Sequence, residues 1–304
     1  MAQPGTASRG FGGRILSVVE TTPGTTPTNP ALIKFSDHVQ SVSISLDPAL
    51  TEWRDIGDYD AASFVKGLPV YGVKVSYLLH IDRKVQHDDA IERQSDNSLK
   101  SQTIEVSMNR DDSTVGYFTL TGCKAEDIVV GGEVGQPTMV EITYKALAVA
   151  RVTAEPSVGS GSRETDALGA LSTFATGSIT RGGSALAYVT RRAEFRVSHS
   201  LTVHGTDGQV NPKVIFEGPR QVTGSADITI DDGGVTLADA VLDLTGASVV
   251  FNLGPSTAPK VTINNAVWER LELPLGVSEG VVLTNVPFRA RSSGSGAITM
   301  GAVA

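Results

Sequence analysis

Five histidines, one cysteine and three pairs of adjacent aspartates are the residues of this chain whose types could do chemistry. His80 and His87 flank Asp82 and the pair Asp88-Asp89, the nearest approach to a metal constellation. Two histidines seven residues apart, with no helix to bring them together, fall short of a zinc ligand set. They read as loop residues after a strand. His199 falls on the apolar parity of its strand and His204 on the polar parity, and both read as structural. Asp111-Asp112 and Asp231-Asp232 lie between strand-like segments, the second ahead of Gly233-Gly234. An oxygen cage for calcium needs several ligands at set spacings, and that pattern is missing. Turn chemistry accounts for both pairs, because Asp and Gly supply the backbone states that turns require. The glycine-rich stretches contain neither a phosphate loop nor a G-x-S-x-G elbow. Cys123 ends an apolar strand beside Lys124 and reads as a buried, inert thiol. The expectation is a protein that is not an enzyme, with no catalytic residue, no cofactor and no metal.

The elements that would have to position any site are strands. Val42-Ser43-Ile44-Ser45-Leu46 points its apolar residues one way and its serines the other. The same alternation recurs at Val73–Tyr77, Ile104–Met108, Val140–Tyr144, Val197–Val203 and Ile228–Ile230. Period-2 alternation marks half-buried, mostly antiparallel strands. Helical periodicity is confined to Thr236–Leu244, stopped by Gly246, and to a weaker stretch at Asp88–Arg93. The fold class expected is mainly β, with one short α-helix in each half.

The order of elements repeats. Gly67-Leu68-Pro69-Val70-Tyr71-Gly72 leads into one strand, and Gly218-Pro219-Arg220-Gln221-Val222-Thr223-Gly224 leads into another. Each is preceded by a strand and followed by a helix candidate and three further strands, which reads as a duplication. The expected organisation is an extended N-terminal arm at 1–35, a first domain at 36–155, a linker or arm at 156–185, and a second domain at 186–304 with a flexible end. The Ser/Gly/Thr-rich stretch 153–183 and the Pro-punctuated first 35 residues read as arms lying on neighbouring subunits.

Composition bounds the rest. A chain of 304 residues, 40% hydrophobic and 19% charged, has the balance of two folded domains and not of a disordered chain. No apolar run reaches the roughly 20 residues that a membrane-spanning helix needs, and the opening MAQPGTASRG lacks the apolar core of a secretory signal. Net charge is −8, which argues against a surface that grips nucleic acid. The polar strand faces carry mainly Ser, Thr and Asp, with Lys74, Lys145 and Arg196 as exceptions.

Gly13-Arg14-Ile15-Leu16-Ser17-Val18-Val19-Glu20-Thr21-Thr22-Pro23-Gly24-Thr25-Thr26-Pro27 resembles the "E-x-T-P-G-T-x-P" opening of the tail tube proteins of long-tailed bacteriophages and related viruses. The resemblance continues through Val39–Leu79, where Gly67 and Gly72 fall where that family re-enters its sheet. It implies tandem β-barrel or sandwich domains of tail-tube type, the duplicated members forming trimeric rings with pseudo-sixfold symmetry that stack into a tube. The implied partners are other copies of the chain, the tape measure protein, tail terminator and baseplate or tip proteins, and viral DNA passing without tight binding. No membrane is implied, and the implied location is the virion tail, assembled in the host cytoplasm. An acidic or neutral polar bore suits this role, since a basic one would hold phosphates. A tube of a secretion or contractile injection system, and a two-domain β-sandwich adhesin or carbohydrate-binding virion protein, are the alternatives.

The stretch between the first two long strands is long for a hairpin. Asp47, Glu52, Trp53, Arg54, Asp55, Ile56, Asp58, Tyr59 and Asp60 set aromatic and apolar residues among charges there. Residues 47–66 are the candidate contact with the next ring along the tube.

Overall fold

A computed structural model describes residues 13–53, 63–81, 90–91, 93–94, 98–109, 115–173, 178–182, 184–185, 192–205, 211–230, 241–252, 260–270, 281–291 and 298–301. The strands of the first half are β1 (Ile15–Val19), β2 (Ala31–Lys34), β3 (Val39–Asp47), β4 (Leu50–Trp53), β5 (Ser63–Lys66), β6 (Val70–Leu78), β7 (Gln102–Asn109), β8 (Val115–Glu133), β9 (Met139–Ala146) and β10 (Ala148–Val152). Then follow β11 (Ser162–Arg163), β12 (Ser178–Arg181), β13 (Ser184–Ala185), β14 (Arg192–Gly205), β15 (Pro212–Ile230), β16 (Ala247–Asn252), β17 (Lys260–Trp268), β18 (Val281–Ala290) and β19 (Ile298–Gly301). The fold is mainly β, as expected. Ala90–Ile91 and Val241–Leu242 have helical backbone within the two predicted helices; most of both helices lies outside the described residues.

The alternation in sequence becomes alternation in burial. Along β9, Val140, Ile142, Tyr144 and Ala146 are buried while their neighbours face outward. In the first half, β3, β6, β9 and the end of β8 form one antiparallel layer. The start of β8 joins β7, β1, β2 and β10 in a second layer. One strand serves both layers because it bends at Gly122, whose φ is 68°. A side chain there would be strained, and its Cβ would meet Leu147 Cδ1 at 2.6 Å. Phe35 packs edge-on against Tyr77, 5.7 Å away, between the layers.

The second half uses the same pairings at fixed offsets. Val42↔Val75, Ser45↔Gly72 and Leu46↔Tyr71 recur as Ala193↔Ala226, Arg196↔Thr223 and Val197↔Val222, each residue shifted by 151 (193−42 and 226−75 alike). The β7·β8 pair Glu105↔Thr119 recurs in β16·β17 as Val250↔Thr262, at shifts of 145 and 143. The bend recurs too. Asn265 lies 143 residues after Gly122 and has φ 57°, a state that Asn tolerates better than most residues. Phe195, Phe251, Phe288 and Trp268 fill this half, with ring centroids 5.1–5.9 Å apart. The end of β8 pairs with the start of β14, from Asp127↔Ser198 to Glu133↔Arg192, so both halves share one sheet and one hydrophobic cluster.

Three details differ from the expectation. The three strands expected after the first helix candidate are four, because the last divides at Leu147 into β9 and β10, which pair with different parts of β8. The segment expected as an arm at 1–35 packs on its own chain in its described part, because Ile15, Leu16 and Phe35 are apolar enough to enter the core. The expected linker also supplies strands: β11 runs parallel to β2, and β12 pairs with β16 as β1 does with β7. Arg163 there grips Glu105 through two hydrogen bonds of 2.9 and 2.7 Å.

Candidate functional site

Among the described residues, those that chemistry would need are not gathered. His80 is buried, its Nδ1 lies 2.6 Å from the Gly169 carbonyl, and its ring stacks on His38 at 5.5 Å. His87, Asp82, Asp88, Asp89, Asp111, Asp112, Asp231 and Asp232 lie outside the described residues. His199 is buried with Nδ1 3.0 Å from the Ala125 carbonyl. Burial pushes its pKa down to about 4, against the smaller opposing effect of that hydrogen bond. His204 packs edge-on against Phe216. Burial, and then the nearby Glu20 carboxylate, drive the Cys123 thiol well above its ordinary pKa, the reverse of what a nucleophile needs. No group of three metal-ligating side chains occurs among the described residues.

Glu20, in the Thr/Pro-rich opening, has a structural task. Its carboxylate is 6% exposed and accepts four hydrogen bonds. Oε2 takes them from Gly24 N and Ser101 Oγ, both at 2.7 Å, and Oε1 from Thr103 Oγ1 at 2.7 Å and Gly122 N at 2.9 Å. All four donors are neutral, so the buried oxygens are held by hydrogen bonding to uncharged groups. The Thr22–Thr25 turn, with Gly24 at φ 82°, brings the chain back to make this possible. The motif thereby clamps the N-terminal turn to β7 and to the bend of β8.

What the fold does present is a broad polar face. The sheet ordered β3-β6-β9-β8-β14-β15-β18-β17 turns one side to the core. Its other side carries Ser41, Ser43 and Ser45 on β3, then Lys74, Glu141, Thr143, Asp127 and Arg196 toward the middle. Five cations of this half of the surface are matched. Lys74 lies 2.7 Å from Glu141, Lys145 2.6 Å from Glu126, and Arg196 2.7 Å from Asp127. Arg192 lies 3.3 Å from Glu194, and Arg289 2.9 Å from Glu269. The hydrogen bond and charge of Asp127 raise the Arg196 pKa. Each cation held against its own carboxylate leaves these pairs with no net charge.

The second feature is a hairpin. Among the described strands, β4 and β5 pair only with each other, Leu50 opposite Lys66 and Glu52 opposite Phe64. All four residues of β5 are exposed. Of the candidate contact residues, Asp47 ends β3 and accepts the Ala49 N–H at 2.8 Å, Glu52 is exposed on β4, and Trp53 closes β4 opposite Ser63. Arg54, Asp55, Ile56, Asp58, Tyr59 and Asp60 lie outside the described residues. Sequence reasoning did not single out Leu50, Phe64 and Val65, which are apolar and exposed. The sequence signal is that Leu50 and Phe64 each share a strand face with a charged residue two positions on, Glu52 and Lys66, which a buried face would not carry.

The described residues thus form a mainly β subunit with ion-paired cations on one sheet face and an exposed hairpin at its edge. The family described as phage tail tube protein matches residues 10–300 of the 304, and the chain belongs to that family. It is a structural component of the virion tail that self-assembles into a tube. No curated protein matches the chain. The family sets it with tail tubes and not with adhesins or carbohydrate-binding modules.

Proposed function

We propose that three copies of this chain close into a ring of pseudo-sixfold symmetry, and that stacked rings form the channel of the tail. The observation that carries this reading is the shared register at a shift of 151, which supports a duplication into two tandem tube domains, 36–155 and 186–304. Under that correspondence β14 stands for β3, and the end of β8 that pairs with it stands, at the shift of 143, for residues 270–276, which follow β17 and, Arg270 apart, lie outside the described residues. The in-chain seam of β8 with β14 is then the pattern for a seam between the stretch after β17 of one copy and β3 of the next. Eight strands from each of three chains would close a barrel, leaving no free sheet edge.

The polar face, away from the core, lines the bore in this arrangement. Its matched ion pairs offer little to a phosphate backbone, so DNA passes without tight binding. The same wall holds the tape measure protein during assembly, and the tube ends meet terminator and baseplate or tip proteins. Assembly takes place in the host cytoplasm. The outer part of the 47–66 hairpin, including Trp53, Ile56 and Tyr59, reaches the next ring.

Negative-stain microscopy of the purified chain at high concentration tests the reading. Rings or tubes with a central hole, and a ring mass of three chains by native mass spectrometry, are expected. A monomer under all conditions would overturn it. Replacing Trp53, Ile56 and Tyr59 together by serine is expected to leave rings that do not stack, and intact tubes from that triple variant would remove the outer part of the hairpin from the inter-ring contact.

A further inference from the structure

The shift of 151 continues past the sheet and into the hairpins. Leu50↔Lys66, Thr51↔Val65 and Glu52↔Phe64 correspond to Leu201↔Glu217, Thr202↔Phe216 and Val203↔Ile215. The outer part of the β14·β15 hairpin is therefore the counterpart of β4·β5. Their surroundings differ completely. Leu201 and Ile215 are 6% and 3% exposed, because they pack with Leu99 of the first half in a small apolar cluster of their own. Leu50 and Phe64, at the same places, are 59% and 65% exposed.

The receiving residue has a counterpart as well. Gln102↔Cys123 and Ala247↔Ala266 set the shift at this point to 145 for the first strand (247−102), so Leu99 corresponds to Leu244. Leu99 is 2% exposed under the β14·β15 hairpin, whereas Leu244 is 55% exposed, with Leu242 nearby at 80%. Leu244 also has φ 51°, a left-handed state costly for a leucine and seldom kept without a purpose. Three apolar side chains that bury one another within the chain thus have three counterparts, all more than half exposed. An isolated two-stranded hairpin is at best marginally stable in water, and this one carries apolar groups that the single chain leaves uncovered.

We propose that the β4·β5 hairpin of one copy closes over Leu244 of the next copy in the same ring, as the β14·β15 hairpin closes over Leu99 within the chain. Leu50 and Phe64 supply the apolar contact. Polar contacts are exchanged along with it. In the chain, Glu217 accepts the Leu99 N–H at 2.7 Å and pairs with Lys124. Between copies, Lys66 stands in the place of Glu217, and Asp243, next to Leu244, offers it the opposite charge. Each chain carries one such hairpin and one such leucine, so every copy gives one clasp and receives one. That head-to-tail arrangement is what a closed ring requires. The inference rests on the ring reading above and adds to it the lateral contact that locks neighbours together.

Paired cysteines test it. Cys123 is the only native thiol and is buried, so F64C/L244C introduces the only accessible pair. Oxidation of assembled rings is expected to yield covalent species that stop at three chains. The in-chain counterpart, L99C/I215C, serves as the control and is expected to oxidise within one chain. Rings that form while F64C/L244C stays uncrosslinked would overturn the clasp and leave the ring reading standing. A covalent ladder that lengthens with the tube would place the contact between rings, and would also overturn it. Failure of the unmodified chain to form rings at all would sink the ring reading and the clasp with it. As a second variant, L244D is expected to raise the concentration needed for ring assembly roughly tenfold or more. Its circular dichroism is expected to remain unchanged, because the residue is exposed in the single chain. Assembly of L244D at the unmodified concentration would count against the proposal.

Discussion

Glu20 Oε1 accepts the backbone N–H of Gly122 across 102 residues of chain, at the bend where β8 passes from one layer of the sandwich to the other. Three more neutral donors complete the shell of the carboxylate. Replacing Glu20 by Gln keeps the volume but turns an NH2 group toward two of the four donors. One of those two is a hydroxyl that can turn and accept, which leaves one backbone N–H unsatisfied at a cost of about 1–3 kcal/mol, so E20Q is expected to lose roughly 1–3 kcal/mol of stability. Urea denaturation of the unassembled chain measures it. A loss below about 0.5 kcal/mol would mean that the motif does not clamp the turn.

His199 sets a pH dependence. Its pKa in the folded chain, about 4, lies below the ordinary 6.5 because burial disfavours the cation. The unfolded chain binds the proton more readily between those values, so stability is full above about pH 6.5 and falls as the pH drops toward 4. The contribution at stake is about 3 kcal/mol. Denaturation midpoints from pH 7 to pH 4, compared between the unmodified chain and H199Q, read it out. Equal slopes would remove His199 as the source.

The Cys123 thiol is expected to resist modification in the folded protein. It is buried, and its pKa is driven up, so little thiolate forms at neutral pH. Labelling by a chromogenic disulfide reagent should be at least roughly a hundredfold slower in buffer than in denaturant, since reaction requires the chain to open. Rapid labelling of the native chain would contradict the position of the residue beneath Glu20.

The charge balance of the polar face gives a prediction about DNA. Asp127→Asn leaves Arg196 without its carboxylate in every copy of the tube. Tubes of D127N are expected to retain DNA more strongly at low salt, with a slope of log affinity against log salt that steepens by about 1 for each further phosphate neutralised. Filter binding at several salt concentrations is the measurement. Unchanged retention would place this face away from the bore.

Trp268 anchors the second half against Phe288, with centroids 5.1 Å apart and no exposure of the indole. W268A is expected to cost about 3–5 kcal/mol. Thermal unfolding would show whether the first half survives that loss or unfolds with it. A single transition is expected, since one apolar cluster runs through both halves.

Much of this architecture was legible in the sequence alone. The serines of β3, the alternation of β9 and the recurrence of Gly67 at Gly218 are local patterns, and strands with one apolar face follow from them because side chains alternate strictly along extended backbone. That the histidines and aspartates follow no ligand spacing was legible for the same reason, since ligand sets and nucleophile motifs are written in short intervals. The tertiary structure decided everything that depends on which distant segments meet. No local signal shows that Glu20 will face Ser101, Thr103 and Gly122, or that β12 will take beside β16 the place that β1 takes beside β7. Leu99 and Leu244 are alike as leucines, and only the packing of a hairpin more than 100 residues away buries the first and leaves the second in water. Burial belongs to the assembled surface and not to the residue, and for that reason the contacts between copies are read from what the single chain leaves uncovered.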